Sequence, residues 1–320
     1  MSDRGRWAVV LSGGEGVRLR PLVRRAMGEE RPKQYTKLLG PRSLLRQTLD
    51  RVALAISTDR TVVVTVRRHA GYIGEEFVGS ADPPYILVQP EDRGTAAAVL
   101  YAACWIARRD PAATVAIFPS DHFILGEATF MAHVAEVARV VAQDPERVML
   151  LGVQPTSPEV EYGWIEPGSP VGAHESVSTV RRFWEKPSED QARWYLISGC
   201  LWNTGIVVAR AAALVHLGTL ALPEMSARLA RVQRALDSDD EAATRHQAYA
   251  LMTRASFSRA VLEPHPERLG VSRLPRVSWC DLGSPRRVLD VLARMRVRPA
   301  WADGPELPTA PGVVRSAASR

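Results

Sequence analysis

Residues 7–22 read WAVVLSGGEGVRLRPL, a short apolar run that passes directly into a glycine-rich loop. The apolar run is typical of a buried strand, and the glycines let backbone N–H groups turn toward a phosphate. Arg18 adds a permanent, fork-shaped positive charge. A dinucleotide-binding fingerprint would need a third glycine where Leu19 stands, and no Gly-Lys-Ser/Thr follows as a Walker loop requires. The stretch therefore predicts a strand and a phosphate-binding loop of another type; a plain turn is the alternative.

Short β-branched runs alternate along the rest of the chain with longer helical patterns. The further predicted strands are 61–66, 85–88, 114–118, 148–152, 177–183 and 205–208. The predicted helices are 43–55, 95–108, 129–141, 189–198, 225–236, 241–255 and 286–294. This alternation predicts an α/β fold, Rossmann-like, with a mostly parallel central sheet flanked by helices. Residues 1–298 are expected to form a single domain, and the Pro- and Ala-rich tail at 299–320 is expected to be mobile.

The composition is that of a globular protein, with 46% hydrophobic and 24% charged residues. Neither a transmembrane run nor a signal-peptide apolar region is present, which predicts a cytoplasmic protein without a membrane partner. The 3 cysteines and 7 histidines lack disulfide or zinc spacing, so a metal would be a hard cation held by carboxylates and phosphates. The charge of +6 suits nucleic acid or a small anion; the dispersed arginines favour the small anion.

Further polar motifs follow predicted strands. Residues 89–97, QPEDRGTAA, end a strand and open a helix, where Gly94 and Thr95 are expected to leave free N–H groups for a ligand; an ordinary capped helix start is the alternative. Asp121 follows a buried strand, at the edge where ligands of open α/β sheets bind, and its carboxylate suits Mg²⁺ with substrate phosphates. His122 is expected to be structural or to support Asp121.

Two later stretches carry groups suited to a sugar phosphate. In residues 183–187, FWEKP, a carboxylate can accept hydrogen bonds from sugar hydroxyls, and the neighbouring ammonium can bind a phosphate. A surface ion pair is the alternative. Residues 201–205, LWNTG, add an amide that can both donate and accept hydrogen bonds.

The glycine-rich loop, followed by RPKQY at residues 31–35, resembles the opening of the mannose-1-phosphate guanylyltransferase family, within the sugar-1-phosphate nucleotidyltransferases. That family has Gly-Gly-x-Gly-x-Arg-Leu-x-Pro-Leu, then Pro-Lys-Gln and an aromatic residue. Residues 161–165, EYGWI, and 279–284, WCDLGS, are similar to its Thr-Gly-Tyr-Gly-Tyr-Ile and Trp-x-Asp-Val-Gly-Ser motifs. Arg20 stands at an often aromatic position, and residues 23–31 form a longer segment that is expected to alter how the loop closes.

The resemblance implies roles for individual residues, and a small sugar-binding lobe beside a nucleotide-diphospho-sugar transferase sheet. The implied nucleotide-binding residues are Leu11, Gly13, Gly14, Gly16, Gln89, Arg93, Gly94 and Thr95. The implied sugar-phosphate-binding residues are Tyr162, Gly163, Glu185, Lys186 and Asn203. Asp121 and Asp281 are the implied Mg²⁺ ligands. Arg18 and Lys33 would neutralise the triphosphate, and Lys186 would align the attacking phosphate.

The predicted reaction joins a nucleoside triphosphate to a hexose 1-phosphate, with GTP and mannose 1-phosphate giving GDP-mannose and pyrophosphate. A phosphate monoester with a second pKa of about 6 is already largely dianionic, so no general base is expected. The alternatives are dTTP, UTP or ATP with glucose 1-phosphate, a non-catalytic regulatory homologue that binds sugar nucleotides, and a nucleic-acid-binding module. A homodimer is the family's common assembly.

Overall fold

The structure, a computed structural model, describes residues 5–171 and 174–303. The strands are β1 (Arg6–Leu11), β2 (Thr61–Val66), β3 (Tyr85–Gln89), β4 (Thr114–Pro119), β5 (Phe123–Leu125), β6 (Val148–Val153), β7 (Gly163–Val171), β8 (His174–Glu185), β9 (Leu201–Arg210), β10 (Leu269–Arg273) and β11 (Ser278–Cys280). The helices are α1 (Arg20–Met27), α2 (Leu44–Val52), α3 (Ala70–Phe77), α4 (Gly94–Arg109), α5 (Glu127–Gln143), α6 (Glu189–Ile197), α7 (Ala211–Ala221), α8 (Pro223–Ala235), α9 (Glu241–Ala250) and α10 (Pro285–Met295).

The main sheet has nine strands in the order β3-β2-β1-β4-β9-β6-β10-β8-β7. Strands β3, β2, β1 and β4 are parallel, whereas β9 runs antiparallel to both neighbours and β7 and β8 form an antiparallel hairpin. The predicted α/β class is confirmed, but the sheet is mixed rather than mostly parallel. Strand β9 is buried along most of its length. A continuous apolar run is typical of a parallel strand, so the sequence pattern does not reveal that β9 runs in the opposite direction.

Alternate residues of β1 pack on opposite faces of the sheet. Trp7 and Val9 belong to the core cluster beneath α4, α7 and α8, and Ala8 and Val10 belong to the cluster beneath α2 and α5. Successive strand side chains point to opposite faces, so this buried strand requires cover on both sides. Helices on both faces place β1, and the loop that follows it, in the middle of the molecule.

The longer segment predicted at residues 23–31 begins inside helix α1, which ends at Gly28 in a left-handed conformation. Leu22 and Val23 pack in a third apolar cluster with residues of α10. The tail begins with a short 3-10 helix at Ala300–Asp303, and Trp301 packs against the same cluster. Residues 304–320, where most of the tail was predicted, lie outside the described residues.

The segment that follows α9 is joined to the start of α4 by two backbone hydrogen bonds. The Ala255 N–H donates to the Arg93 carbonyl at 3.0 Å, and the Ala255 carbonyl accepts from the Ala96 N–H at 3.1 Å. Gly94 has a φ of +83°, and a methyl group there would collide with the Ala255 carbonyl. A glycine is required because both the backbone conformation and the close approach exclude a side chain.

We expect Gly94→Ala to lower the free energy of unfolding by about 3 kcal/mol. About 1 kcal/mol comes from the left-handed conformation and about 1 from each displaced hydrogen bond of Ala255. Gly28→Ala is the matched control, since Gly28 has a φ of +76° but open space around it. Urea denaturation measures both variants. Equal losses would mean that the contact with Ala255 contributes nothing.

Candidate active site

A cleft of about 360 Å³ lies at the carboxyl ends of β1, β3 and β4. Its lining includes the predicted residues Leu11, Gly13, Gly14, Gln89, Gly94, Thr95 and Asp121. These residues come from three separate stretches of the sequence, brought to one sheet edge because the strands are parallel. The lining also includes Arg254, Phe257 and Ser258, from the segment that docks on α4, and sequence reasoning did not find these three.

The RPKQY stretch at residues 31–35 donates side-chain hydrogen bonds to the glycine-rich loop. The Gln34 side-chain amide donates to the carbonyls of Ser12 and Gly14, both at 3.0 Å, and the Tyr35 hydroxyl donates to the Ser12 carbonyl at 3.1 Å. Gly16, which does not line the cleft, has a φ of +59° and lies against the Lys33 side chain. The loop is therefore held in shape by hydrogen bonds from Gln34 and Tyr35.

Lys33 is buried beneath the cleft, with only 5% of its surface exposed. Its ammonium lies 3.0 Å from Asp121 Oδ2 and donates to the carbonyls of Asp281 and Leu282 at 2.7 and 3.1 Å. The two predicted metal ligands, 160 residues apart in sequence, are thus joined through one lysine. Leu282 has a positive φ of 50°, which accompanies the sharp turn after Asp281.

Both of these aspartates are held in the ionised form. Burial raises the pKa of the Asp121 carboxyl, but the charges of Lys33 and His122 outweigh it, and the pKa lies below its ordinary value. Burial likewise raises the pKa of Asp281, and Arg287, His122 and Lys33 together bring it below the ordinary value. His122 packs edge-on against Trp279, and its Nε2 lies 3.9 Å from Asp121 Oδ1; its structural or supporting role stays a prediction.

The predicted sugar-phosphate residues meet at one end of β7, β8 and β9. Gly163 pairs with Glu185 across the hairpin, and a methyl group on Gly163 would lie 3.3 Å from the Asn203 side chain. The Lys186 N–H donates to the Tyr162 carbonyl at 3.2 Å. Burial raises the pKa of the Glu185 carboxyl.

The cluster at the ends of β7, β8 and β9 contacts the group formed by Lys33, Asp121 and Asp281 through Tyr162. The Tyr162 hydroxyl donates to Asp281 Oδ1 at 2.9 Å, and the Asp281 backbone carbonyl is one of the two that Lys33 holds. Tyr162 also packs edge-on against Trp202 at 5.1 Å. Asp281 therefore lies between the glycine-rich loop and the cluster at the ends of β7, β8 and β9.

Arg287, which sequence reasoning missed, is surrounded by carboxylates beside Asp281. Its Nη1 lies 3.1 Å from Asp281 Oδ1 and 3.2 Å from Glu161 Oε2, and its Nη2 donates to Glu159 Oε2. The guanidinium also lies 4.5 Å above the Tyr162 ring. Arg287 follows another arginine and belongs to no recognised motif, so no local pattern indicated this role.

Two predicted arginines take partners outside the cleft lining. Arg18 forms an ion pair with Glu161, the residue before Tyr162. Arg93 donates to Glu91 at 2.6 Å and to the Ala250 carbonyl at 3.2 Å, which fixes the end of α9. The expectation of a free Gly94 N–H is wrong, because Asp92 Oδ1 accepts from it at 2.9 Å.

The fold and this arrangement define an α/β protein of the nucleotide-sugar transferase type. The chain belongs to the nucleotidyl transferase family, whose model matches residues 7–296. The predicted resemblance is confirmed at this level. None of the helices in the described part of the chain is long and apolar enough to cross a membrane.

Named relatives agree with this assignment. The chain is 32% identical over 286 residues to the xanthan biosynthesis protein XanB of Xanthomonas campestris pv. campestris (strain B100), covering 88% of this chain and 58% of that protein. It is 29% identical over 284 residues to a mannose-1-phosphate guanylyltransferase from Escherichia coli, covering 86% of this chain and 58% of the relative. The crystal structure of mannose-1-phosphate geranyltransferase from Thermus thermophilus has a TM-score of 0.77 and 28% identity, covering 92% of this chain and 80% of that one.

We expect Arg287→Ala to lower the free energy of unfolding by about 2 kcal/mol at neutral pH, because hydrogen bonds to three carboxylates are lost and their charges are left uncompensated. Arg286→Ala is the matched control, since the Arg286 side chain is 93% exposed and lies 4.0 Å from Asp290. Urea denaturation of both variants measures the difference.

The pH dependence of the Arg287→Ala effect tests whether the effect is electrostatic. Arg287 lowers the folded-state pKa of Asp281, so the stability it contributes is present above the ordinary aspartate pKa of about 4 and is lost as the pH falls further. The difference in the free energy of unfolding between Arg287→Ala and the unmodified protein should therefore become smaller below pH 4. A difference that is constant with pH would contradict an electrostatic origin.

Proposed function

We propose that the protein transfers a guanylyl group from GTP to mannose 1-phosphate, forming GDP-mannose and pyrophosphate. The observation that carries the proposal is the joining of two polar clusters at Asp281, through Lys33 on the loop side and Tyr162 on the sugar side. Two phosphate-bearing substrates bound on either side would meet at this residue. The name of the Escherichia coli relative supports mannose 1-phosphate and a guanylyl group as the substrate choice.

In this proposal the site works by placing charges rather than by acid–base chemistry. A phosphate oxygen of the sugar phosphate attacks the α-phosphorus of GTP, and pyrophosphate leaves with the electron pair of the broken P–O bond. Lys186 would hold the attacking phosphate, and Arg18 would neutralise the triphosphate. Arg18 is half exposed and its ion pair with Glu161 is a surface pair, so the exchange of Glu161 for a phosphate costs little.

We infer that Asp121 and Asp281 hold Mg²⁺ when the substrates are bound. Their carboxylates fit this ion, because both are ionised and oxygen is the ligand atom that Mg²⁺ prefers. The described residues contain no group of three or more acidic, His or Cys side chains suited to a metal, so phosphates and water would supply the other ligands. Bound Mg²⁺ would neutralise charge on the phosphate oxygens. A homodimer and a cytoplasmic location stay predictions.

A panel of nucleotides and sugar 1-phosphates tests the reaction. With Mg²⁺, we expect GTP plus mannose 1-phosphate to release pyrophosphate faster than dTTP, UTP or ATP with glucose 1-phosphate. Coupled detection of pyrophosphate measures the rates. Release with another pair would reassign the specificity. No release from any pair, while nucleotide sugars still bind, would support a regulatory protein.

Asp121→Asn should lower kcat at least about a hundredfold, since several kcal/mol of charge stabilisation in the transition state is removed. The matched control is Asp110→Asn, because Asp110 forms an ion pair with Arg60 at the opposite end of the parallel strands, away from the cleft. Steady-state pyrophosphate release measures both. Full activity in Asp121→Asn would exclude the proposed role of this carboxylate.

A further inference from the structure

The side-chain amide of Gln89 is held in one orientation at the wall of the cleft. Gln89 ends β3 and is 3% exposed. The Tyr249 hydroxyl donates to Gln89 Oε1 at 3.2 Å, and Gln89 Nε2 donates to the Thr65 carbonyl at 3.4 Å. A flip of the amide would lose the bond to Thr65 and would set two oxygens against each other there. The Tyr249 hydroxyl could then only accept from Nε2, and its own hydrogen would lose the acceptor that Oε1 provides.

Tyr249 is fixed from a distant part of the chain. It lies near the end of α9, is fully buried, and packs edge-on against Tyr101 at 6.1 Å. The docking of Ala255 on α4 holds this end of α9 in place. A buried phenol requires a hydrogen-bond partner, and Gln89 Oε1 is the acceptor for the Tyr249 hydroxyl. This bond orients the amide more strongly than the bond from Gln89 Nε2 to the Thr65 carbonyl, because the latter is long.

The fixed orientation decides which atom the cleft receives. Oε1 is turned toward Tyr249, whereas Nε2 faces the glycine-rich loop, 3.6 Å from where a methyl group on Gly13 would lie. One of the two Nε2 hydrogens goes to Thr65, and the other is available to the cleft. The wall of the cleft therefore presents a donor at this point.

A donor here distinguishes purine bases. Guanine carries an acceptor, O6, where adenine carries a donor, the N6 amino group. Resting on the proposed function, we propose that Tyr249 is a positioning residue for nucleobase choice: by holding Oε1 of Gln89, it keeps the amide donor toward the base and selects a 6-oxo over a 6-amino purine. In Tyr249→Phe the amide is free to present its oxygen, which accepts a hydrogen bond from adenine.

Nucleotide binding without sugar phosphate tests this inference apart from turnover. GTP and ATP compete with a fluorescent GTP analogue, and the ratio of their dissociation constants is the measured quantity. We expect the unmodified protein to prefer GTP, and we expect this preference to fall about tenfold in Tyr249→Phe, the effect of one hydrogen bond. Tyr101→Phe is the matched control, because its hydroxyl accepts from Arg245 rather than contacting Gln89. The preference should be unchanged there.

A double-variant comparison separates positioning from general damage to the fold. If Tyr249 acts through Gln89, the Tyr249→Phe substitution should leave the ratio unchanged in a Gln89→Ala background. A ratio that is unaltered in Tyr249→Phe alone, or that falls equally with and without Gln89, overturns the inference. Pyrophosphate release from GTP and mannose 1-phosphate decides the proposed function separately. Preference for ATP in the unmodified protein would overturn the donor assignment. Failure to bind either nucleotide would overturn the proposed function, and the inference with it.

Discussion

A single buried ammonium sets the geometry of this site. Lys33 has almost no access to water, and a charge in that position is stable only with close partners of opposite polarity. Its partners are a carboxylate at the end of β4 and two backbone carbonyls before α10. The glycine-rich loop, which lies against the Lys33 side chain at Gly16, is therefore tied to both Asp121 and Asp281. Displacement of either partner segment would remove part of the compensation of this buried charge.

A second group of ion pairs continues this arrangement toward Tyr162 and the ends of β7, β8 and β9. Glu161 accepts from both Arg18 and Arg287, and Arg287 also contacts Asp281. Glu161 stands where the family motif quoted above has glycine, so this chain has an additional carboxylate at the point where the two clusters meet. Arg287 therefore serves two carboxylates at this point: it pairs with Glu161, and together with His122 and Lys33 it outweighs the burial that raises the pKa of Asp281.

Local sequence patterns predicted the elements whose residue types are set by their own burial or backbone conformation. The uniformly buried strand β2 and the glycine-rich loop were recognisable because strand burial and close backbone approach each demand particular residue types. Strand direction was not recognisable in β9, since burial on both faces leaves no mark of orientation. Arg287 and Tyr249 were missed because their contacts cross 126 and 160 residues, and nothing near either residue in the sequence records the partner.

The pairing of Ala255 with the start of α4 bears on how the protein is made. Ala255 and Arg93 lie 162 residues apart, and the contact of Lys33 with the Asp281 carbonyl spans 248 residues. During synthesis, the loop and the first four strands leave the ribosome long before these partners exist. Contacts of such large sequence separation slow folding, since loop-closure entropy is lost before they form. The nascent N-terminal half would thus have the glycine-rich loop but no completed cleft wall, and the site would form only as one of the last events of folding.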